Sequence, residues 1–592
     1  MRSVFALYRD VLSVLPTGGR RFIWLYSWLL ASLAVLDAAA LGLLAVLIAP
    51  LSVGQKATLP LVGTLDTAGV VIAILIICAL MVAKGVLSVS IMWWATRHVS
   101  RYEVAIGDRL FRAYITAPWL ERLRRNSSDM LRFTDSGVDT TVNSFLLPGA
   151  TLLGEVVSLL VVIATLAIIQ PALAVVTLVY LLLLGAILFF WIARRARAAG
   201  EINMHASIRT ARLILEIVGA MKEVALRNKE GDVAEIVEES RTRSARARAN
   251  IYFLGQLPRY ALESGIVLGF VVVGGAGFLL GGIEQAITAV ALFGLAGFRM
   301  APSVTRLQSV VSQMISVSSY PRRLLEELRA SESSVAAIAD RPSHPLPARP
   351  RELRVENVTF RYSPDAVPAV KNVSLHIPFG STVAFVGASG SGKSTMVDLL
   401  LSLLEPTEGD ITIDGTSLTD VTRDWRSRVA YVPQDVALFD ASIAQNVALT
   451  WTDDYDPARV RHALEQAQLW ELVSAREEGI ESQIGERGLG LSGGQRQRLG
   501  IARALYTEPL VLVLDEATSA LDTQTEAAVS ESIAALSGEV TLIVVAHRLA
   551  TIKHSDRIFF MREGEVSGSG SFDELLTKIP DFARQAELAG LA

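Results

Sequence analysis

Residues 387–395 read Gly-Ala-Ser-Gly-Ser-Gly-Lys-Ser-Thr. That run has the chemistry of a phosphate cradle. Glycines at 387, 390 and 392 let backbone N–H groups curl around an anion without Cβ clashes, at the positive end of a helix dipole. Lys393 is placed to neutralise β- and γ-phosphates and the Ser394 hydroxyl to ligate Mg²⁺, while Ser389, Ser391 and Thr395 belong to the same cradle. Further along, the fully apolar run 510–514 ends in Asp515-Glu516. At the end of a buried strand, Asp515 is suited to the Mg²⁺ shell and Glu516 to polarise an attacking water as general base.

The elements that must position these groups are legible around them. A strand over 382–386 runs into the loop, and a helix begins near Lys393; strand, loop and helix are the context a P-loop requires. Strands are expected at 355–362 and 373–377 ahead of it. The segment 331–350 is rich in Ser, Pro and Ala and reads as a linker, which makes 351–592 one nucleotide-binding α/β domain.

The preceding residues belong to a different solvent. Of the 592 residues, 51% are hydrophobic and 19% charged, which fits a chain partly solvated by lipid. Six apolar segments, at 22–51, 69–95, 144–169, 172–193, 260–282 and 286–310, are long enough to cross a bilayer core of about 30 Å. They define a membrane domain over 19–330, preceded by an interfacial helix over 1–18. The net charge of −4 gives no argument for a nucleic-acid partner. The lone cysteine, Cys78, sits in an apolar run and excludes an intrachain disulfide.

Arginines crowd the connections between spans two and three, from Arg97 to Arg132, and between spans four and five, from Arg194 to Arg248; the other three connections contain only Lys56 as a basic residue. Positive loops stay in the cytoplasm, so both termini and the nucleotide-binding domain are expected there. The two basic connections read as helices continuing below the membrane, each pair closed by a short crossing helix, near 118–129 and 212–223. Counted at about 1.5 Å per residue, Asp37, Lys84, Glu155 and Arg299 all fall roughly 21–22 Å below the outer surface. They form either a polar layer facing a cavity or two ion pairs, Asp37 with Lys84 and Glu155 with Arg299. Arg259 and Glu263 stand one helical turn apart and are expected to pair.

With Leu491-Ser492-Gly493-Gly494-Gln495 added to the P-loop, the chain resembles the ABC transporters, and a six-span domain followed by its ATPase resembles their exporter type. The resemblance implies an exporter-type membrane α-helical bundle followed by an α/β P-loop ABC ATPase domain, with ATP and Mg²⁺ as ligands. It further implies that Tyr362 stacks on adenine, that Gln434 touches Mg²⁺ and water, that Gly485-Glu486-Arg487-Gly488 contacts the crossing helices, that Asp522 communicates across a dimer and that His547 reaches the γ-phosphate. Ser492, Gly493, Gly494 and Gln495 would complete the site of another subunit. The implied partner is a second copy of the chain, with a heterodimer as the alternative. Short stretches, among them Asn126-Ser127-Ser128, Lys222-Glu223-Val224 and Arg299-Met300-Ala301-Pro302, resemble bacterial lipid-linked oligosaccharide flippases. That resemblance implies an amphipathic, lipid-linked substrate crossing the bacterial inner membrane, with Lys84, Arg259 and Arg299 able to meet its diphosphate. The connection 51–68 departs from that family, being short and mostly small or polar. Other exporters, of drugs, peptides or glycolipids, and an ATP-gated channel or regulatory membrane subunit remain alternatives.

Overall fold

The computed structural model describes the chain apart from residues 1, 53–57, 60–62, 65–66, 125–129, 131, 170, 340–343, 486–487, 489, 517–527, 530, 532, 534–537, 547–548, 589–590 and 592. Among the expected functional residues, Asp522, His547, Glu486, Arg487 and Asn126 to Ser128 lie outside the described residues. So do the side chains of Asp37 and Arg299. Two compact units form: Met1–Ala117 with Leu123–Val335, and Pro118–Arg122 with Ala336–Ala592.

In the first unit helices cover each expected span, at Gly19–Ser52, Thr67–Thr116, Leu147–Ile169, Pro171–Gly219 and Glu230–Val317. The last of these is two helices in one run. Its α-helical dihedrals fail at Gly281 and Gly282, and Gly282 takes φ 75, ψ −160, a region essentially confined to glycine. Over their described residues, Ala68–Thr116, Phe133–Val161 and Glu230–Leu279 are long and apolar enough to cross a membrane. Two π-helical turns, Phe133–Gly137 and Thr140–Leu146, lead into the third span.

Several boundaries differ from the sequence reading. The second short helix is Met221–Leu226, because Pro171–Gly219 keeps its helical pattern up to Gly219 and takes up most of 212–223. The first is Trp119–Arg124. The stretch read as a linker begins with the last turns of the helix Ser319–Ala339. The connection 51–68 carries a two-stranded pairing, Thr58 opposite Thr64 and Leu59 opposite Gly63. The N-terminal helix Arg2–Val14 is amphipathic, and its stripe Val4, Leu7 and Val11, extended by Leu15, is buried in protein. Tyr8 Oη adds a hydrogen bond to the Leu146 carbonyl at 3.1 Å.

The second unit is built on a six-stranded sheet in the order Glu565–Gly570, Arg557–Arg562, Thr382–Val386, Thr541–Val545, Val511–Asp515, Val429–Val432. The last five run parallel. Their runs of buried Val, Leu, Ile and Phe are what a sheet covered on both faces requires. A four-stranded antiparallel sheet, beginning with Glu352–Phe360 and Val370–Pro378, completes the unit. Trp119 and Leu120 pack against the apolar cluster that holds Phe385 and Trp425.

Candidate nucleotide site

Parallel pairing in one register brings the chemistry to one edge. Val545 lies opposite both Asp515 and Phe385, and Val432 opposite Leu514. The carboxyl ends of three neighbouring strands and of Val429–Val432 therefore open on the same side, where open α/β sheets hold their ligands. From that edge the chain continues into the P-loop, into Glu516 and into Gln434.

The P-loop carries positive φ at Gly387, Gly390 and Gly392. At Gly387 a Cβ would sit 2.1 Å from the Met561 carbonyl oxygen, so the strand beside it leaves room for hydrogen only. Helix Lys393–Leu400 starts directly after the loop and aims its first N–H groups into it. Lys393 is buried, and its Nζ donates to the carbonyls of Gly387 at 2.8 Å and Ala388 at 3.0 Å. Burial pulls its pKa below the usual lysine range, while Glu516 and Asp515 push the other way. Ser391 Oγ is buried with no hydrogen-bond partner among the described residues. An unsatisfied hydroxyl inside a cradle of N–H groups, beside an ammonium folded onto carbonyls, suits a polyphosphate.

Opposite the loop, Tyr431 Oη donates to Asp515 Oδ2 at 3.0 Å, and Gln434 Nε2 to Glu516 Oε2 at 2.9 Å. Glu516 takes φ 51. It is held there by its N–H to the Val545 carbonyl at 3.1 Å and by Gln497 Nε2 on its own carbonyl at 3.1 Å. Tyr362 reaches the cradle through a 3.1 Å contact between its hydroxyl and Thr395 Oγ1, and stands edge-on to Phe360 at 5.0 Å.

Two neighbours were missed in the sequence. Asp398, one helical turn beyond Ser394, is pushed up to about 6 by burial, with the Asp515 charge adding to it. Tyr431 is raised by burial and by Asp515. The four-residue spacing of Asp398 from Ser394 was the signal, and it is visible only once a helix is assumed.

Ser492 opens the helix Gly493–Leu505 through a capping box: Gln495 N–H donates to Ser492 Oγ at 3.3 Å, and Ser492 N–H to Gln495 Oε1 at 2.9 Å. Among the described residues Ser492 makes no hydrogen bond to the P-loop. Gln497 is what ties this helix to Glu516.

Glu155 Oε1 meets Arg306 Nε at 3.1 Å, between the helices Leu147–Ile169 and Glu230–Val317; the side chain of the expected partner Arg299 lies outside the described residues. Ser158 and Ser303 add a hydroxyl contact at 3.2 Å between the same two helices. Arg259 pairs with Glu263 at 3.1 Å, both exposed. Lys84 is half-buried on Thr67–Thr116.

The ABC transporter transmembrane-region family matches residues 23–253, and the ABC transporter family 370–519. The "ATP-dependent lipid A-core flippase" of Cupriavidus metallidurans is 36% identical over 418 residues, 68% of either chain. The chain is an ABC transporter. Its membrane domain is fused to its ABC ATPase domain. Proteins of the same name from Ralstonia nicotianae and Salmonella typhimurium are 48% identical over 230 residues and 42% over 234. Those alignments cover 38% and 39% of this transporter, and 39% and 40% of the relatives' lengths. A solved structure of a bacterial Atm1-family ABC exporter with ATP bound superposes with a TM-score of 0.73 at 23% identity, covering 96% of this chain and 98% of that one. The transporter therefore has the exporter fold.

Proposed function

We propose that the chain uses ATP hydrolysis to flip an amphipathic, lipid-anchored glycan from the inner to the outer leaflet of the bacterial inner membrane, by alternating access. The observation that carries this reading is the common edge at which the P-loop, Asp515-Glu516 and Gln434 meet, in a chain that also bears membrane-spanning helices. In the ATP-bound state Lys393 leaves the Gly387 and Ala388 carbonyls for the β- and γ-phosphates, and Glu516, aimed by Gln434, accepts the proton of the attacking water. Ser394, Asp515 and Gln434 form an oxygen donor set suited to Mg²⁺, which supplies neutralisation of phosphate charge. Tyr362 offers its ring to adenine. Asp522 and His547 complete the set by resemblance.

Ser492 and Gly494 act on the P-loop of a second copy, so the working unit is a dimer with two composite sites. Nucleotide binding and cavity orientation are then two coupled equilibria, each shifted by the other's ligand. Both termini are cytoplasmic by the distribution of arginine.

For the substrate, the relatives favour a glycolipid of the lipid A-core kind, and the short stretches resembling oligosaccharide flippases favour a polyprenyl-diphosphate glycan. Both are anionic lipids with a large headgroup. Lys84, Arg259 and Arg299 are the cations proposed to meet a diphosphate, and Arg259 would exchange the Glu263 carboxylate for it. Proteoliposomes holding either fluorescent lipid, with ATP and with Glu516→Gln as control, test the proposal. ATP-dependent loss of inner-leaflet signal that vanishes in the variant supports it; active ATPase with neither lipid moved refutes the substrate class.

A further inference from the structure

Two helices of the first unit face each other below the expected membrane and carry matched stripes: Ser207, Thr210 and Ile214 on Pro171–Gly219, and Arg241, Ser244 and Arg248 on Glu230–Val317. Both follow the i, i+3, i+7 spacing of one helical face. Arg132, just ahead of the third span, closes one end, and the groove between them has a volume of about 450 Å³. Three guanidiniums and several hydroxyls line it, and no carboxylate does among the described residues.

The lining is held in place. Arg132 Nη1 donates to the Ser207 carbonyl at 3.2 Å and Nη2 to Ser207 Oγ. Its Nε is buried without a partner among the described residues. Arg248 Nη1 donates to Ser244 Oγ at 2.6 Å, and Ser244 in turn to Asn203 at 3.0 Å. A second groove between the same two helices has the opposite character. It contains Glu201, Glu239, Arg209 and Arg243, with Arg243 and Glu239 paired at 2.5 Å. Carboxylates neutralise guanidiniums there and are missing from the first groove, so three like charges converge where each repels the others until an anion arrives. Guanidinium forks and hydroxyl donors match the oxygens of a phosphate.

We propose that the Arg132–Arg241–Arg248 groove is a binding site for a phosphate or diphosphate group, separate from the P-loop. At about 1.5 Å per residue Ser207 stands roughly 54 Å along its helix from Pro171, beyond a bilayer of about 40–45 Å with its headgroups. The phosphate arrives on a water-soluble compound or on a lipid whose headgroup reaches that far.

The test uses the full chain with Lys393→Ala, which removes P-loop binding, in phosphatidylcholine nanodiscs with chelator present. Inorganic pyrophosphate is titrated by calorimetry. The parent binds at one site per chain; Arg132→Gln and Arg248→Gln each weaken binding about tenfold, the loss of one charge-assisted contact, and Arg243→Gln in the opposite groove leaves it unchanged. Arg241→Glu, an exposed substitution, weakens binding even if Arg132→Gln disturbs packing. Adding phosphatidic acid to the nanodisc weakens pyrophosphate binding if lipid phosphate reaches the groove, and leaves it unchanged if the ligand is soluble; both outcomes support the site. No binding by the parent, or equal binding by the parent and the Arg132, Arg241 and Arg248 variants, overturns it.

Discussion

Glu516 carries several roles on one residue. A non-glycine residue at φ 51 stores about 1–3 kcal/mol of backbone strain, and three hydrogen bonds, to Val545, Gln497 and Gln434, hold it there. The result is a carboxylate pre-aimed before nucleotide arrives. Glu516→Gln preserves shape and removes the basic carboxylate; under the proposed general-base role, ATP binding by filter assay stays near the parent's and phosphate release falls about 10²–10⁴-fold. Gln497→Leu acts one step away. It frees the Glu516 carbonyl without touching nucleotide, so steady-state kinetics show a lower kcat with KM little changed.

At the scale of elements, the helix Gly493–Leu505 is pinned at both ends. Its start is the Ser492–Gln495 box, and near its end Arg503 donates to the carbonyls of Asn446 at 2.8 Å and Ala437 at 2.9 Å. Burial lowers the Arg503 pKa, yet a guanidinium keeps its proton and its donors. Arg503→Met leaves those carbonyls unsatisfied and costs about 1–3 kcal/mol, read as a drop in the melting temperature. In the membrane domain the Glu155–Arg306 pair joins two helices, with Glu155 largely buried. Arg306→Met strands that carboxylate. Detergent-solubilised Arg306→Met melts earlier than the parent, and the double variant Glu155→Gln/Arg306→Met recovers part of the loss.

For the whole molecule, the test is whether two chains share a site. Among the described residues Ser492 bonds only within its own helix turn, and the proposed composite site assigns this exposed end of the signature to a second copy. Lys393→Ala and Gly494→Asp each abolish ATPase alone. When the two are co-expressed, mixed dimers hold one intact P-loop opposite one intact signature and regain turnover that neither parent shows. Activity that stays absent in the mixture rules out the composite site.

Local geometry encoded in a contiguous run was legible from sequence: the loop at 387–395 ahead of a helix, Asp515-Glu516 behind an apolar strand, and Ser492 to Gln495 at a helix start each follow from spacing along one element. The helices over the six apolar segments were legible too, since hydrogen-bond satisfaction in lipid leaves a long apolar run few options. Partners across elements were not. That Glu155 meets Arg306, that Asp398 sits near Asp515, and that Arg132 closes a groove against Ser207 depend on the rotation and crossing of packed elements. Hydropathy and motif spacing contain neither quantity; only side-chain interlocking between neighbouring elements sets them.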